Sequence, residues 1–341
     1  MITNIYTTVD TLKARLDKMA EEFNGTKADT TKKAKDDTAY RKAFFDHLHT
    51  GMPTNELKEG SDGAGGYLVP DSYDKELVQA LSEKSILRRL GTTITTTHRL
   101  KIPTVNSHAA ASWVQEGGSF DFGDETFGQI VIDAYKLGDA ILVSDEMLED
   151  SGIDLEAYIK ESFGERLGIA EEYAFFNGDG NGKPTGIAYQ ADVARKVASI
   201  DELTLDDMID LYYSVKTPYR KNAVYIMSTD AYLRLRKIKT YNGRPAWTSN
   251  LKDNTPDQLL GTPVYVTDAL NSEDPEANLC DTPVLYGDFS YLWIAERGKR
   301  TMKRLVERFA DRGFVGYTVT ERVDAKLMLP EAVKCIKLES K

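Results

Sequence analysis

The apolar positions of this chain change period along its length, and the changes mark out its parts. Val9, Leu12, Leu16, Met19 and Phe23 recur at spacings of three and four, which places them on one helix face. Asn24-Gly25 ends that helix, and the Lys/Thr/Asp stretch 27–38 carries almost nothing apolar. Tyr40 to Leu48 predicts a second short helix with enough hydrophobic surface to dock. Such an alternation makes no core of its own. Residues 1–66 therefore read as an arm lying on another surface, in the same subunit or in a neighbour, with a glycine-rich hinge at 60–66.

The body starts at Tyr67-Leu68-Val69-Pro70. Asp71 or Ser72 caps a helix predicted to run to Leu90, with Leu77, Val78, Leu81 and Ile86 apolar and Gly91 as terminator. Thr92 to Thr97 is dense in β-branched residues, which fit a pleated surface. Arg99 to Val105 continues it, with Pro103 marking an edge. A second long β stretch spans Phe127 to Val143. Between them, 111–125 holds four acids, three aromatics and no Lys or Arg, too glycine-rich and too acidic for a core. A long two-stranded excursion is marginal alone, so this tip needs an external partner.

Ser151 or Asp154 caps the longest predicted helix, about 23 residues or roughly 35 Å. Leu155, Tyr158, Ile159, Phe163, Leu167, Ala170, Tyr173 and Ala174 form its apolar side, and the turn 177–182 stops it. Beyond residue 190 helices and strands mix without regular alternation. Helices open at Thr204 and at Thr229-Asp230; strands are predicted over 223–227, 262–266, 282–287, 291–295, 318–323 and 333–338. That order favours an α+β fold over a doubly wound parallel sheet.

Composition narrows function more than fold. Lys and Arg number 43 against 54 Asp and Glu, a formal net charge of −11, while 1–60 is neutral with ten of each. The acid therefore belongs to the body, and it disfavours a sequence-reading nucleic-acid binder, which needs a basic footprint. A 41% hydrophobic content supports a sizeable core, and two lobes are expected at this length. Cys280 and Cys335 allow at most one bridge and read as buried free thiols. No apolar run approaches the roughly 18 residues of a membrane span. The first residues lack a basic flank followed by an apolar stretch, so a soluble product made in the cytosol is expected.

Searches for chemistry fail for definite reasons. His47 and His49 would point to opposite sides of a helix, and no Cys or carboxylate pattern completes a metal site. The turn 177–182 imitates a calcium loop, yet Ala188 stands where the bidentate acid is needed. As a phosphate loop it fails at Pro184, which follows Gly182-Lys183. Ser119 has Gly117 before it but Asp121 after it, so no nucleophile elbow exists. Glu171-Glu172 and Asp206-Asp207 read as solvated helix faces or as partners of helix N-terminal dipoles. No catalytic, cofactor or metal residue is assigned, and no enzyme is expected. Arg297, Lys299, Arg300, Lys303, Arg304 and Arg308 form a basic run with two competing partners, phosphates or an acidic neighbour such as the 116–125 tip. The second is favoured because the chain itself supplies such a tip.

Six stretches then stand in one order: Gly65-Gly66-Tyr67-Leu68-Val69-Pro70; Val143-Ser144-Asp145-Glu146-Met147-Leu148-Glu149-Asp150-Ser151; Phe176-Asn177-Gly178-Asp179-Gly180 with Lys183-Pro184-Thr185-Gly186-Ile187; Leu259-Leu260-Gly261-Thr262-Pro263-Val264; Tyr286-Gly287-Asp288-Phe289-Ser290; and Arg322-Val323-Asp324-Ala325-Lys326-Leu327. Each alone is weak, but in this order and spacing they resemble the major capsid proteins of tailed bacteriophages with the HK97-type fold, over about residues 40–338.

The resemblance implies an N-terminal arm (1–66), a peripheral domain beginning at 67–91, an extended hairpin called the E-loop (92–135), and the peripheral domain with its spine helix (136–189). It further implies an axial domain (190–312) and peripheral return strands (313–341). It implies a structural subunit without a catalytic pocket that assembles with itself, as hexamers and pentamers, into an icosahedral head in the host cytoplasm. Scaffold, portal and decoration proteins are the further partners; double-stranded DNA is enclosed without sequence-specific binding, and no membrane is involved. Glu116, Asp121, Asp124 and Glu125 are expected to make ionic contacts with a neighbour's Arg297, Lys299, Arg300, Lys303 and Arg304, while Gly117 and Gly118 let the hairpin bend.

Two departures follow. The hairpin tip has no lysine (Lys101 and Lys136 lie near its base) and 309–341 has no asparagine, so a Lys–Asn isopeptide chainmail is not expected. The segment before Tyr40 is short for a fused scaffold, which leaves a processed form or a separate scaffolding protein, and Met1 favours the second. The alternatives are a cellular nanocompartment shell of the same fold, which would store an enzyme, and a soluble hydrolase, which the failed motif searches weaken.

Overall fold

The computed structural model describes residues 37–51, 61–62, 66–107, 126–149, 154–239, 241–247, 257–270 and 282–339. The expected helix over 9–23, the hairpin tip and Cys280 lie outside them. In chain order the elements are α1 (37–50), β1 (Ser61–Asp62), β2 (Gly66–Leu68), α2 (Asp71–Lys84), α3 (Ile86–Leu90), β3 (Thr92–Thr96), β4 (Leu100–Ser107) and β5 (Thr126–Ile132). There follow β6 (Tyr135–Ser144), α4 (Asp145–Glu149), α5 (Leu155–Asn177), α6 (Ile187–Gln190), β7 (Asp192–Val197), α7 (Leu205–Ser214), α8 (Thr217–Arg220), β8 (Val224–Ser228) and α9 (Thr229–Lys237). The last are β9 (Gln258–Leu259), β10 (Thr262–Thr267), β11 (Val284–Gly287), β12 (Leu292–Arg297), β13 (Thr301–Leu305), β14 (Phe314–Leu327) and β15 (Val333–Leu338).

Caps explain most boundaries. The Ala157 N–H donates to Asp154 at 3.1 Å, which starts the 23-residue α5 where the sequence placed it. Thr204 and Asp207 form a reciprocal capping box on α7. The helix expected over 71–90 is instead two, because the Ser85 hydroxyl accepts the Arg88 N–H at 3.2 Å and opens α3 as a new helix. The long β stretch breaks at Asp133, whose N–H donates to Asp324 at 2.8 Å rather than to a ladder. β7 and β13 had no counterpart in the sequence reading, since DVARKV and TMKRL are half charged and show no clean alternation.

The chain divides into two units. The first holds residues 1–77, 141–158 and 301–318. In it, β2 pairs with β1 and with β13. α1 packs here through Ala43, Phe44 and Leu48, all buried. Asp37 accepts the Asp71 and Ser72 N–H groups, both at 3.1 Å. Arg41 ties Glu76 at 2.8 Å and also Glu156. The second helix of the expected arm thus docks on its own subunit.

The second unit holds 78–140, 159–300 and 319–341. Its centre is a six-stranded sheet in the order β7-β15-β11-β8-β10-β9, with β7–β15 and β8–β10 parallel and the rest antiparallel. Alternation on β8 sends Val224 and Ile226 into one core and Tyr225 and Met227 into another. The first core is closed by Phe175 and Phe176 of α5 with Ile294 of β12 and Val323 of β14; the second by Met208 and Leu211 of α7 with Leu235 of α9. A strand buried on both faces reads as an unbroken apolar run, as in the strand expected over 223–227, which β8 shifts by one residue. β12 lies apart from this sheet, between β3 (parallel) and β14 (antiparallel).

The six-stranded sheet does not follow the expected segment ranges strand by strand: β12 and β13 lie outside it, and β15 lies within it, between β7 and β11. The physical reason is burial: Val333, Cys335 and Ile336 are apolar toward both faces, and the central position of a sandwiched sheet covers both. Cys335 is buried, and its thiol donates to the Ala191 carbonyl at 3.9 Å. Where β11 meets this turn the backbones touch. Gly287 has φ 154°, and a Cβ there would lie 2.2 Å from the Ala332 oxygen and 2.6 Å from Val333 Cα. Gly287→Ala is expected to destabilise the protein by about 1–3 kcal/mol in thermal melting; an unchanged midpoint would contradict this packing.

Candidate functional site

The stem of the long hairpin consists of β4 and β5, paired from Leu100↔Ile132 to Ser107↔Thr126 with a register shift after Val105. Among the described residues no other strand joins it. Glu116, Gly117, Gly118, Asp121, Asp124 and Glu125 lie beyond the stem, outside the described residues. The foot of the stem is anchored. Asp133 meets Arg99 at 3.3 Å and Arg297 at 3.5 Å. Asp324, itself buried, accepts the Asp133 and Ala325 N–H groups at 2.8 Å each. Arg297 thus pairs with an acid at the base of its own hairpin.

The rest of the basic run divides by task. Arg300 is only 4% exposed: its Nε donates to Glu321 at 2.7 Å and its Nη2 to Glu296 at 3.0 Å. It is removed from the expected contacts between copies, because its guanidinium is occupied inside the subunit. Arg304 stands at the C-terminal end of α1 and donates to the His49 carbonyl at 3.4 Å, while the Tyr317 hydroxyl donates to the Leu48 carbonyl at 2.8 Å. A cation there complements the helix dipole and the unsatisfied carbonyls, so Arg304 too has an internal role. Lys299 is exposed, Lys303 half-buried, and Arg308 exposed with its guanidinium 5.6 Å from the Phe309 ring. The β13–β14 turn is exposed and mixed in charge: Arg308 and Arg312 stand beside Glu307 and Asp311, Arg312 lies 3.9 Å from Asp311, and Val306 and Phe314 are exposed with them.

The Arg300 site extends into a buried chain of charges. Glu296 also accepts from Arg88, and Arg88 grips Glu171 in a fork, Nε to Oε2 at 3.0 Å and Nη2 to Oε1 at 2.7 Å. Glu171 is 1% exposed. Beside it, Glu172 accepts the Ser85 hydroxyl at 2.6 Å and the Thr267 hydroxyl at 3.3 Å. The expectation that Glu171-Glu172 is a solvated face is corrected: both carboxylates are buried and bonded. Sequence reasoning missed them although a signal was present. Phe163, Leu167, Glu171 and Phe175 follow one another at four-residue steps, so the acid lies within the apolar stripe.

This cluster holds three carboxylates (Glu171, Glu296, Glu321) against two guanidiniums, and Glu321 Oε1 has no hydrogen-bond partner. Burial works against the Glu296 charge, but Arg300 and Arg88 hold it below the usual carboxylate range. Glu321 goes the other way. Burial, then the negative Glu171, push it up to about 8 against the pull of Arg300 and Arg88. The folded state therefore keeps a proton that the unfolded chain releases near pH 4–5. Its stabilising effect is complete below that range and is lost as pH rises to about 8, with a slope of at most about 1.4 kcal/mol per pH unit. Glu321→Gln should flatten the fall in melting temperature between pH 5 and 8. A variant with the wild-type slope would show that Glu321 is not the titrating group.

Among the described residues no group of His, Cys, Asp or Glu could hold a metal ion. A model of the Phage capsid family matches residues 65–338. The major capsid protein of Klebsiella oxytoca phage phiKO2 is 21% identical over 248 residues, 69% of this chain and 57% of that protein. This chain thus spans little more than half the length of that curated relative. Among solved structures, the capsid of the native GTA particle superposes with a TM-score of 0.63 at 22% identity, covering 76% of this chain and 91% of that one. A chain of Microbacterium phage Oxtober96 does so with a TM-score of 0.58 at 16% identity, covering 75% and 91%. The α+β architecture is the HK97-type fold, and this chain belongs to the Phage capsid family.

Proposed function

We propose that this chain is a major capsid subunit: a structural, non-enzymatic protein that assembles with itself into the icosahedral head of a tailed phage. The observation that carries the reading is the family match across 65–338 on a fold shared with solved capsids. The finer assignments are part of the proposal. Hexamers and pentamers form the shell around double-stranded DNA, with scaffold, portal and decoration proteins as partners and the host cytoplasm as the place of assembly. α5 is the spine helix; β4, β5 and the tip between them are the E-loop; the six-stranded sheet with α7 and α9 is the axial domain. Residues before α1 are the reaching part of the arm, and α1 is its anchor.

The hairpin supports a division of labour. Its foot is held by Asp133, Arg297 and Asp324, so the stem leaves the body in a defined direction. Its tip carries Glu116, Asp121, Asp124 and Glu125 and no cation, which suits a basic acceptor on a neighbouring copy. With Arg300 and Arg304 engaged internally, the acceptor is centred on the exposed Arg308. Gly117 and Gly118 let the tip adjust its angle as the shell changes size. Contacts between exposed charges weaken with salt, so assembly should be salt-dependent.

Electron microscopy of the chain produced with its scaffold should show uniform icosahedral particles. A small monodisperse oligomer and no shells would overturn the reading. Reversing the tip charge with Glu116→Lys and Asp121→Lys should reduce particle yield at least five-fold and leave subunit melting unchanged. Wild-type yield from that variant would remove the tip from the contact.

A further inference from the structure

Strand β3 is an open edge. β12 pairs with it in parallel along one side, from Trp293↔Thr92 to Arg297↔Thr96, and no described strand lies along the other. Thr92, Thr93 and Thr95 are exposed. Such an edge offers a row of unpaired N–H and C=O groups, and proteins that avoid association guard it with charge, proline, bulges or shortness. Several other edges among the described residues are guarded in those ways: β7 carries Asp192, Arg195 and Lys196, β4 carries Lys101 and Pro103, and β1 and β9 have two residues each. β5, Thr-Phe-Gly-Gln-Ile-Val-Ile, is also uncharged, but it belongs to the hairpin stem and carries a glycine. β3 reads Thr-Thr-Ile-Thr-Thr, with no charge, no proline and an unbroken register.

The same chain contains a segment of matching character. Residues 2–8 read Ile-Thr-Asn-Ile-Tyr-Thr-Thr: uncharged, free of glycine and proline, and five of seven β-branched. They precede α1 by 28 residues; with the helix expected over 9–23 and the rest extended, these span roughly 65 Å, more than the width of a domain.

We propose that residues 2–8 of a second copy of this chain add to the open edge of β3 as a further strand. The inference rests on the shell reading above and names one of its contacts. Main-chain hydrogen bonds would supply the affinity, as in other cases of strand addition, and the threonine and isoleucine side chains would set the register. Donor on one copy and acceptor on the next make a heterologous contact, which repeats around a ring and closes where the rotation allows. An edge left unguarded is a liability in a protein that stays single; here it is the acceptor.

Cross-linking tests this directly. Chains carrying Ile5→Cys and chains carrying Thr95→Cys, each with Cys280→Ser, are produced together with the scaffold and oxidised as particles. A dimer whose linked peptide joins positions 5 and 95 should appear at least ten-fold above the level of either variant alone. Particles that form normally without this link overturn the edge pairing and leave the shell reading intact. A chain carrying both substitutions that links only within itself overturns it as well, since the segment would then serve its own subunit. If the unsubstituted chain forms no particles, the shell reading falls and this inference falls with it. In an independent arm, Thr95→Lys places a guarding charge on the edge. It should reduce particle yield at least five-fold with unchanged subunit melting, and wild-type yield would contradict the proposal.

Discussion

The second unit depends on a chain of buried charges running Glu171–Arg88–Glu296–Arg300–Glu321. It joins α5, α3, β12, the turn after it, and β14, elements that are far apart in sequence. Each ion in it has lost its water, a cost of several kcal/mol that only good geometry offsets. The geometry is present: a forked Arg88–Glu171 pair, and Glu296 shared by two guanidiniums. Such a network adds little net stability over an apolar core, but it tolerates few arrangements. Sliding β12 against β14 by one residue would send Glu296 to the opposite face and leave Arg88 and Arg300 buried without it. The odd carboxylate, Glu321, is accommodated by keeping its proton.

The network also explains what the basic run is for. Read in sequence, six cations between Arg297 and Arg308 look like one patch. In the structure Arg297 secures the hairpin foot, Arg300 closes the buried chain, and Arg304 finishes α1. Lys299 and Arg308, by contrast, are exposed. The internal cations hold the fold in the shape from which the hairpin departs.

Much of this was legible beforehand where local chemistry decides. Asp154 and α5, the Thr204 cap, the doubly buried β8 and the β-branched β3 follow from caps and periodicity. What was not legible depends on partners distant in sequence. Ser85 divides a continuous apolar pattern because α3 needs its own start beside Glu172. Glu171 looked solvated because its partner is 83 residues away, although its place in the Phe163–Leu167–Phe175 stripe was a warning. β13 was not seen because TMKRL shows no clean alternation, and the neighbours of β15 were not legible because strand pairing is a choice among edges, which a single strand does not state. The expectation that the acidic tip needs a partner rests on composition alone, since four acids and three glycines in 111–125 cannot form a core.

The central claim is that the cations of this run are divided between holding the fold and joining copies. Comparing two variants in both respects tests it most directly. Arg300→Gln should lower subunit stability by about 3–5 kcal/mol, because it leaves the buried Glu321 without its cation and Glu296 with Arg88 alone. Arg308→Glu should leave subunit melting within about 0.5 kcal/mol of wild type and sharply reduce the yield of particles. An Arg300→Gln subunit that melts like wild type yet fails to assemble would place Arg300 at the interface and contradict the account.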